Sequence, residues 1–176
     1  PGSIVPATLD RPLRENSTTA SIAGPFARAD LALVGQQSRL SDGNVRTTVQ
    51  LYARYPLAPR LSMLYAGSGI RFSQRSSLYW DPMGYISNAT GLEYAVRRAR
   101  GFTYAMQVLP GVAWTNETPP GALPTELRRT AAQLSGAGDA SYRTESWEAG
   151  AALSYNRGRA GDYQRVGATV QLRLTP

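Results

Sequence analysis

The chain has 176 residues and a net charge of +7, and it lacks cysteine and histidine. The length suits one domain, and the missing residue types exclude disulfides, thiolate metal sites and histidine general bases. A carboxylate-based enzyme remains possible, but Glu145 and Glu148, which are close in sequence, are predicted to point to opposite strand faces. We therefore expect no enzymatic activity, no cofactor and no metal site. A basic chain can bind nucleic acid, but its arginines are spread along the sequence, so we expect no nucleic-acid partner.

Residues 1–27 are rich in proline, serine and threonine and predict an extended N-terminal lead-in, with room for a short strand at Thr18 to Ala23. Residues 28–176 then predict one β-domain of about eight strands. The segments that alternate or resemble strands are 28–40, 44–55, 60–73, 85–98, 102–115, 127–143 and a final hairpin within 145–176.

Three features of the sequence bear on where these predicted strands begin, end or are interrupted. The sequence Ser41-Asp42-Gly43-Asn44 is a strong turn signal. Pro110 argues against a central strand unless it lies at a bulge, because proline cannot donate to a ladder. Residues 127–143 could begin as a short helix, but their Gly-Ala-Gly-Asp centre favours a strand.

The alternation gives the sheet one polar and one apolar face, because successive side chains of a strand point to opposite sides. The polar face is predicted to carry charges that would point into a barrel lumen: Arg46, Arg54, Glu93, Glu148, Arg165 and Arg173. The apolar face is predicted to meet lipid or a protein core through Val108, Trp147, Leu153, Val170 and Leu172.

Two architectures produce such a pattern: a soluble antiparallel sheet on a core, and a transmembrane β-barrel. Short and long connections alternate after the first hairpin, and the segments exceed the usual strand length of soluble sheets. Both features favour an up-and-down barrel in a bacterial outer membrane, with lipid as its partner. The aromatic residues Tyr79, Trp80, Tyr85 and Trp114 flank the long loops and suit an interfacial girdle.

About eight strands enclose only enough room for side chains, so a complete small barrel would be plugged by paired charges. A conduit would need more strands, from further chain or from another subunit. The alternative function is that of a soluble or peripheral β-sheet subunit in a larger assembly, with its apolar residues packed in a core.

Two stretches carry a family resemblance: Leu78-Tyr79-Trp80-Asp81-Pro82-Met83-Gly84-Tyr85, and the closing segment from Trp147 to Leu174 with its Gly-Asp-Tyr at 161–163. They resemble the C-terminal outer-membrane barrels of tetratricopeptide-repeat-linked exopolysaccharide exporters, of which the cellulose synthase operon protein C family is the best known. The resemblance implies a part in polysaccharide export, with periplasmic or other subunits of an export complex as partners. Barrels of that family have about twice as many strands, so the chain would be part of one or a smaller relative.

Overall fold

The computed structural model describes residues 14–74, 83–98, 100–117, 127–158 and 163–174, and these form a single sheet. Its strands are β1 (Glu15–Phe26), β2 (Ala29–Leu40), β3 (Val45–Ala58), β4 (Leu61–Phe72), β5 (Gly84–Val96), β6 (Gly101–Glu117), β7 (Leu127–Arg143), β8 (Trp147–Gly158) and β9 (Tyr163–Leu174). Every strand pairs antiparallel with the next in sequence. The predicted all-β up-and-down meander is confirmed.

The sheet is open, since β1 and β9 form its two edges and do not pair with each other. Strands β2–β9 correspond to the eight predicted from residue 28 onward. β1 is a ninth strand inside the predicted lead-in, and at 12 residues it is longer than the short strand considered there. No helix of the described ranges has the length and apolarity needed to cross a membrane.

The connections differ between the two ends of the sheet. At one end, here called the short-turn end, strands are joined by residues 27–28, 59–60, 97–100 and 144–146. At the other, here called the loop end, the connections are 41–44, 73–83, 118–126 and 159–162. Within the first of these loop-end connections, the predicted turn is confirmed: Gly43 has a φ of 86°, and the Asn44 amide donates to Asp42 Oδ1 at 3.0 Å.

Pro110 lies inside β6, in a central position of the sheet. The β5–β6 register stops at Ala89 opposite Gly111 and resumes at Leu92 opposite Val108. Pairing of β6 with β7 continues through Pro110 opposite Leu134 without a break. The missing proline N–H is therefore accommodated by a local gap in one ladder, without the extra residue of a β-bulge.

Residues paired across neighbouring strands share a face of the sheet, so the register divides the side chains into two sets. The polar face runs from Glu15 through Arg46, Glu93 and Asp139 to Arg173. Among the described residues, few apolar side chains are buried: Leu40, Phe72, Ala95, Val96, Leu109, Ala113 and Ala131. All of these except Val96 lie on the polar face. Most of this small core lies toward the loop end, and nothing in the described ranges packs as a second layer on the apolar face.

Candidate functional site

The polar face is concave. A cavity of about 1300 Å³ is bordered by residues from β1–β4 on one side and from β6–β9 on the other. Small side chains line much of it, including Ala66, Ala137, Ala152 and Gly167. These small side chains leave room for the sheet to curve toward the polar side.

All six charged residues predicted to point inward lie on this concave face, since the register links each of them through cross-strand partners. They are Arg46, Arg54, Glu93, Glu148, Arg165 and Arg173. Whether the face encloses a lumen stays a prediction, because the sheet formed by the described strands is open.

One charged cluster lies toward the short-turn end of β3 and β5. Arg54 donates to Glu93 Oε1 through Nε at 3.0 Å and approaches it through Nη2 at 2.8 Å. Asp30 lies 4.0 Å from Arg54, and Arg97 lies 3.7 Å from Glu93. The Glu93 side chain is only 12% exposed, so its charge needs the two arginines to compensate for lost hydration.

We expect Glu93→Gln to lower the free energy of unfolding by about 1–2 kcal/mol, because it leaves Arg54 without its charged acceptor in a partly buried position. The measurement is urea unfolding in detergent followed by tryptophan fluorescence. Asp30→Asn is the matched control: Asp30 is 69% exposed and at the distance limit from the same arginine, so its loss should cost less than about 0.5 kcal/mol. Equal costs for the two variants would contradict the assigned roles.

Two further ion pairs anchor the flanks of the concave face. On one flank, Arg143 donates to Glu148 Oε2 through Nε at 2.9 Å, and Arg173 lies opposite Glu148 on the next strand. On the other, Arg46 pairs with Glu15 at 2.5 Å. Arg165, in contrast, forms no ion pair within the described residues, and it borders the cavity. Arg54, Asp30 and Arg165 thus border the cavity itself, and the other two ion pairs lie beyond its lining on the same face.

The five predicted apolar residues lie on the opposite face. Their exposed fractions are large for apolar side chains: 55% for Val108, 37% for Trp147, 64% for Leu153, 84% for Val170 and 72% for Leu172. Other exposed apolar residues continue this face from Ile22 in β1 to Leu174 in β9. An apolar surface that spans nine strands far exceeds the patches seen on monomeric soluble proteins.

Of the four aromatic residues predicted to form an interfacial girdle, the structure describes two, and these lie on opposite faces of the sheet. Trp114 is exposed on the apolar face near the loop end. Tyr85 is on the concave face, where its hydroxyl accepts a hydrogen bond from Gln133 Nε2 at 2.7 Å. Tyr79 and Trp80 lie outside the described residues.

Sequence reasoning missed a larger aromatic belt on the apolar face at the short-turn end. It consists of Phe26, Tyr55, Tyr94, Phe102, Tyr104, Tyr142 and Trp147. Tyr94 and Tyr104 have ring centroids 6.0 Å apart, and those of Tyr142 and Trp147 are 5.7 Å apart. The signal was present in the sequence, because each of these residues falls in the last or first few positions of a strand beside a short turn.

The fold resembles that of a solved structure described as a bacterial polysaccharide outer membrane secretin. The TM-score is 0.61 and the sequence identity is 15%, and the match covers 91% of this chain and 55% of that one. The chain therefore spans about half the length of that protein. At this identity the likeness establishes a shared fold and leaves function to be argued from the site.

No protein family and no curated protein matches the sequence. The finer resemblance, to the cellulose synthase operon protein C family, gains no support from these comparisons and stays a prediction.

Proposed function

We propose that the chain is a non-enzymatic part of a bacterial outer-membrane β-barrel and helps to form the wall of a conduit for polysaccharide export. The observation that carries the proposal is the single-layer meander with one apolar, exposed face and one polar, concave face. Lipid covers the first face in such a barrel, and the second borders the aqueous lumen.

Strand length supports the membrane part of the proposal. The shortest strands have 12 residues, and at roughly 3.4 Å per residue they are about 40 Å long. Tilted by about 40°, such a strand rises roughly 30 Å, which matches the hydrocarbon thickness of a bilayer. The aromatic belt at the short-turn end then lies at headgroup depth.

The polysaccharide part is supported by the concave face and by the likeness of the fold to that of a bacterial polysaccharide outer membrane secretin. Hydroxyl and amide groups border the cavity through Tyr52, Gln107, Ser135, Ser154 and Asn156. These groups both donate and accept hydrogen bonds, as recognition of sugar hydroxyls requires. The conduit needs additional strands to close the sheet, and these come from further chain or from another subunit.

Tryptophan fluorescence in vesicles tests the proposal. The variant W80F retains Trp114 and Trp147, both on the apolar face, and lipids brominated in their acyl chains should quench its emission strongly. The matched control, W80F/W114F/W147F/Y52W, carries its reporter beside the cavity and should be quenched weakly. Similar weak quenching in both chains would favour the alternative, a soluble or peripheral subunit of an assembly.

The Y52W chain also tests the cargo. A neutral oligosaccharide should protect this reporter from acrylamide in solution and should leave the W80F chain unaffected. Strong bromolipid quenching of W80F without oligosaccharide protection of Y52W would retain the barrel and reject polysaccharide as its cargo.

A further inference from the structure

A second cavity lies at the rim of the sheet, at the short-turn end. It measures about 240 Å³ and lies between the β3–β4 turn and the end of β5. Four arginines line it, together with Pro59, Ala95 and Val96: Arg54, Arg60, Arg97 and Arg98. The cavity is large enough for a phosphate group with part of its alcohol.

The charges around this rim cavity do not cancel. Arg54 and Arg97 share the carboxylate of Glu93, and Asp30 lies 4.0 Å from Arg54. Arg60 and Arg98 have no acidic partner among the described residues. Four guanidinium groups against two carboxylates leave a local charge of about +2 at a solvent-accessible rim.

The two arginines without an acidic partner adjoin the aromatic belt. Arg60 interacts with the phenol of Tyr94, which in turn interacts with Tyr104, and Arg98 lies near enough to Tyr104 to act on it electrostatically. Both tyrosines belong to the apolar face. The positive rim therefore begins where the aromatic belt ends.

We propose that this rim cavity binds a phosphate group, and that the phosphate is that of an anionic phospholipid headgroup. Guanidinium groups bind phosphate through paired N–H donors, and basic pockets at the edge of a membrane-spanning region bind lipid headgroups. A lipid whose phosphate occupies the cavity would lay its acyl chains along the apolar face past Tyr94. This inference rests on the proposed membrane location, and it adds a specific lipid site that the location alone does not require.

The experiment is a titration of the full chain in neutral detergent micelles, with thermal unfolding as the readout. Short-chain phosphatidylglycerol should raise the unfolding temperature, and phosphatidylcholine and inorganic phosphate should raise it much less. In R60Q/R98Q the apparent affinity for phosphatidylglycerol should fall roughly 10- to 30-fold, as expected for two lost charge contacts. Both residues lie in turns outside the strands, so the ladders should survive the substitutions.

The matched control is R39Q/R71Q, which removes two exposed arginines from the apolar face at the loop end. This control should keep the wild-type affinity. Equal losses in the two double variants, or no preference of the wild type for phosphatidylglycerol over phosphatidylcholine, would overturn the proposal. Inorganic phosphate acting as strongly as the lipid would overturn the lipid as the source of the phosphate.

Because the titration is done in micelles, it does not depend on insertion into vesicles. A chain that fails the bromolipid test and still requires Arg60 and Arg98 for phosphatidylglycerol binding would lose the proposed function and keep the phosphate site. The reverse pattern would keep the membrane barrel and lose the site.

Discussion

Replacement of Gly91 by alanine is expected to disrupt the centre of the sheet and to lower the free energy of unfolding by about 3 kcal/mol or more. A Cβ at Gly91 would overlap the carbonyl oxygen of Val108 and would lie 2.8 Å from the Cα of Leu109. These are backbone atoms of the neighbouring strand, so no side chain can rotate away. The two strands would have to separate, and both are central to the sheet.

Gly35→Ala is the matched control for this prediction. Gly35 also lies inside a strand, β2, but nothing is within 4 Å of the position that its Cβ would take. The substitution should leave stability unchanged or raise it slightly, since alanine restricts the unfolded chain more than glycine does. Urea unfolding of the two variants in detergent is the measurement, and a midpoint for G91A equal to that of G35A would refute the steric argument.

The need for glycine at this position is connected with Pro110. The ladder between β5 and β6 is interrupted beside the proline. On the concave face, Gly91 lies within the interruption and Gly111 borders it. A Cβ at Gly111 would overlap the carbonyl oxygen of Asn88. The backbones thus approach closely where the regular hydrogen bonds are missing, and only glycine permits this approach.

The strands of this fold were predictable because alternation is a local property of the sequence. Residues 127–143 illustrate the limit: their Gly-Ala-Gly-Asp centre weakens the pattern, and pairing along the full length of β6 supplies what local propensity lacks. The ladder gap beside Pro110 could not be predicted, because it depends on which residues of β5 lie opposite. Register is a property of two strands together, and one strand's sequence does not fix it.

The sequence predicted which residues belong to the face that carries the candidate site, but it did not predict which of them form ion pairs. Alternation identified Arg54 and Glu93 as residues of one face, but they are 39 positions apart and meet only through the order of β3, β4 and β5. The rim cavity was invisible for the same reason. Arg60 and Arg98 belong to different turns, and only the meander brings those turns to the same end of the sheet.

The pair V170R and T169R separates the membrane interpretation from the soluble one. Val170 and Thr169 are neighbours in the middle of β9, lie opposite Ala151 and Ala152, and point to opposite faces. If lipid covers the apolar face, V170R should destabilise the chain in vesicles by about 2–4 kcal/mol, the cost of an arginine near the bilayer midplane. T169R should cost little, because its side chain enters the polar face.

If instead the apolar face meets water, V170R should no longer be more destabilising than T169R. Val170 is 84% exposed, so an arginine there would replace an exposed apolar side chain with a hydrated one and should be neutral or should improve solubility. The measurement is urea unfolding in vesicles together with the fraction of chain that inserts. A large penalty confined to V170R would support lipid rather than water as the environment of that face. Tolerance of V170R together with full solubility without detergent would contradict the membrane interpretation and favour the alternative, a soluble or peripheral β-sheet subunit.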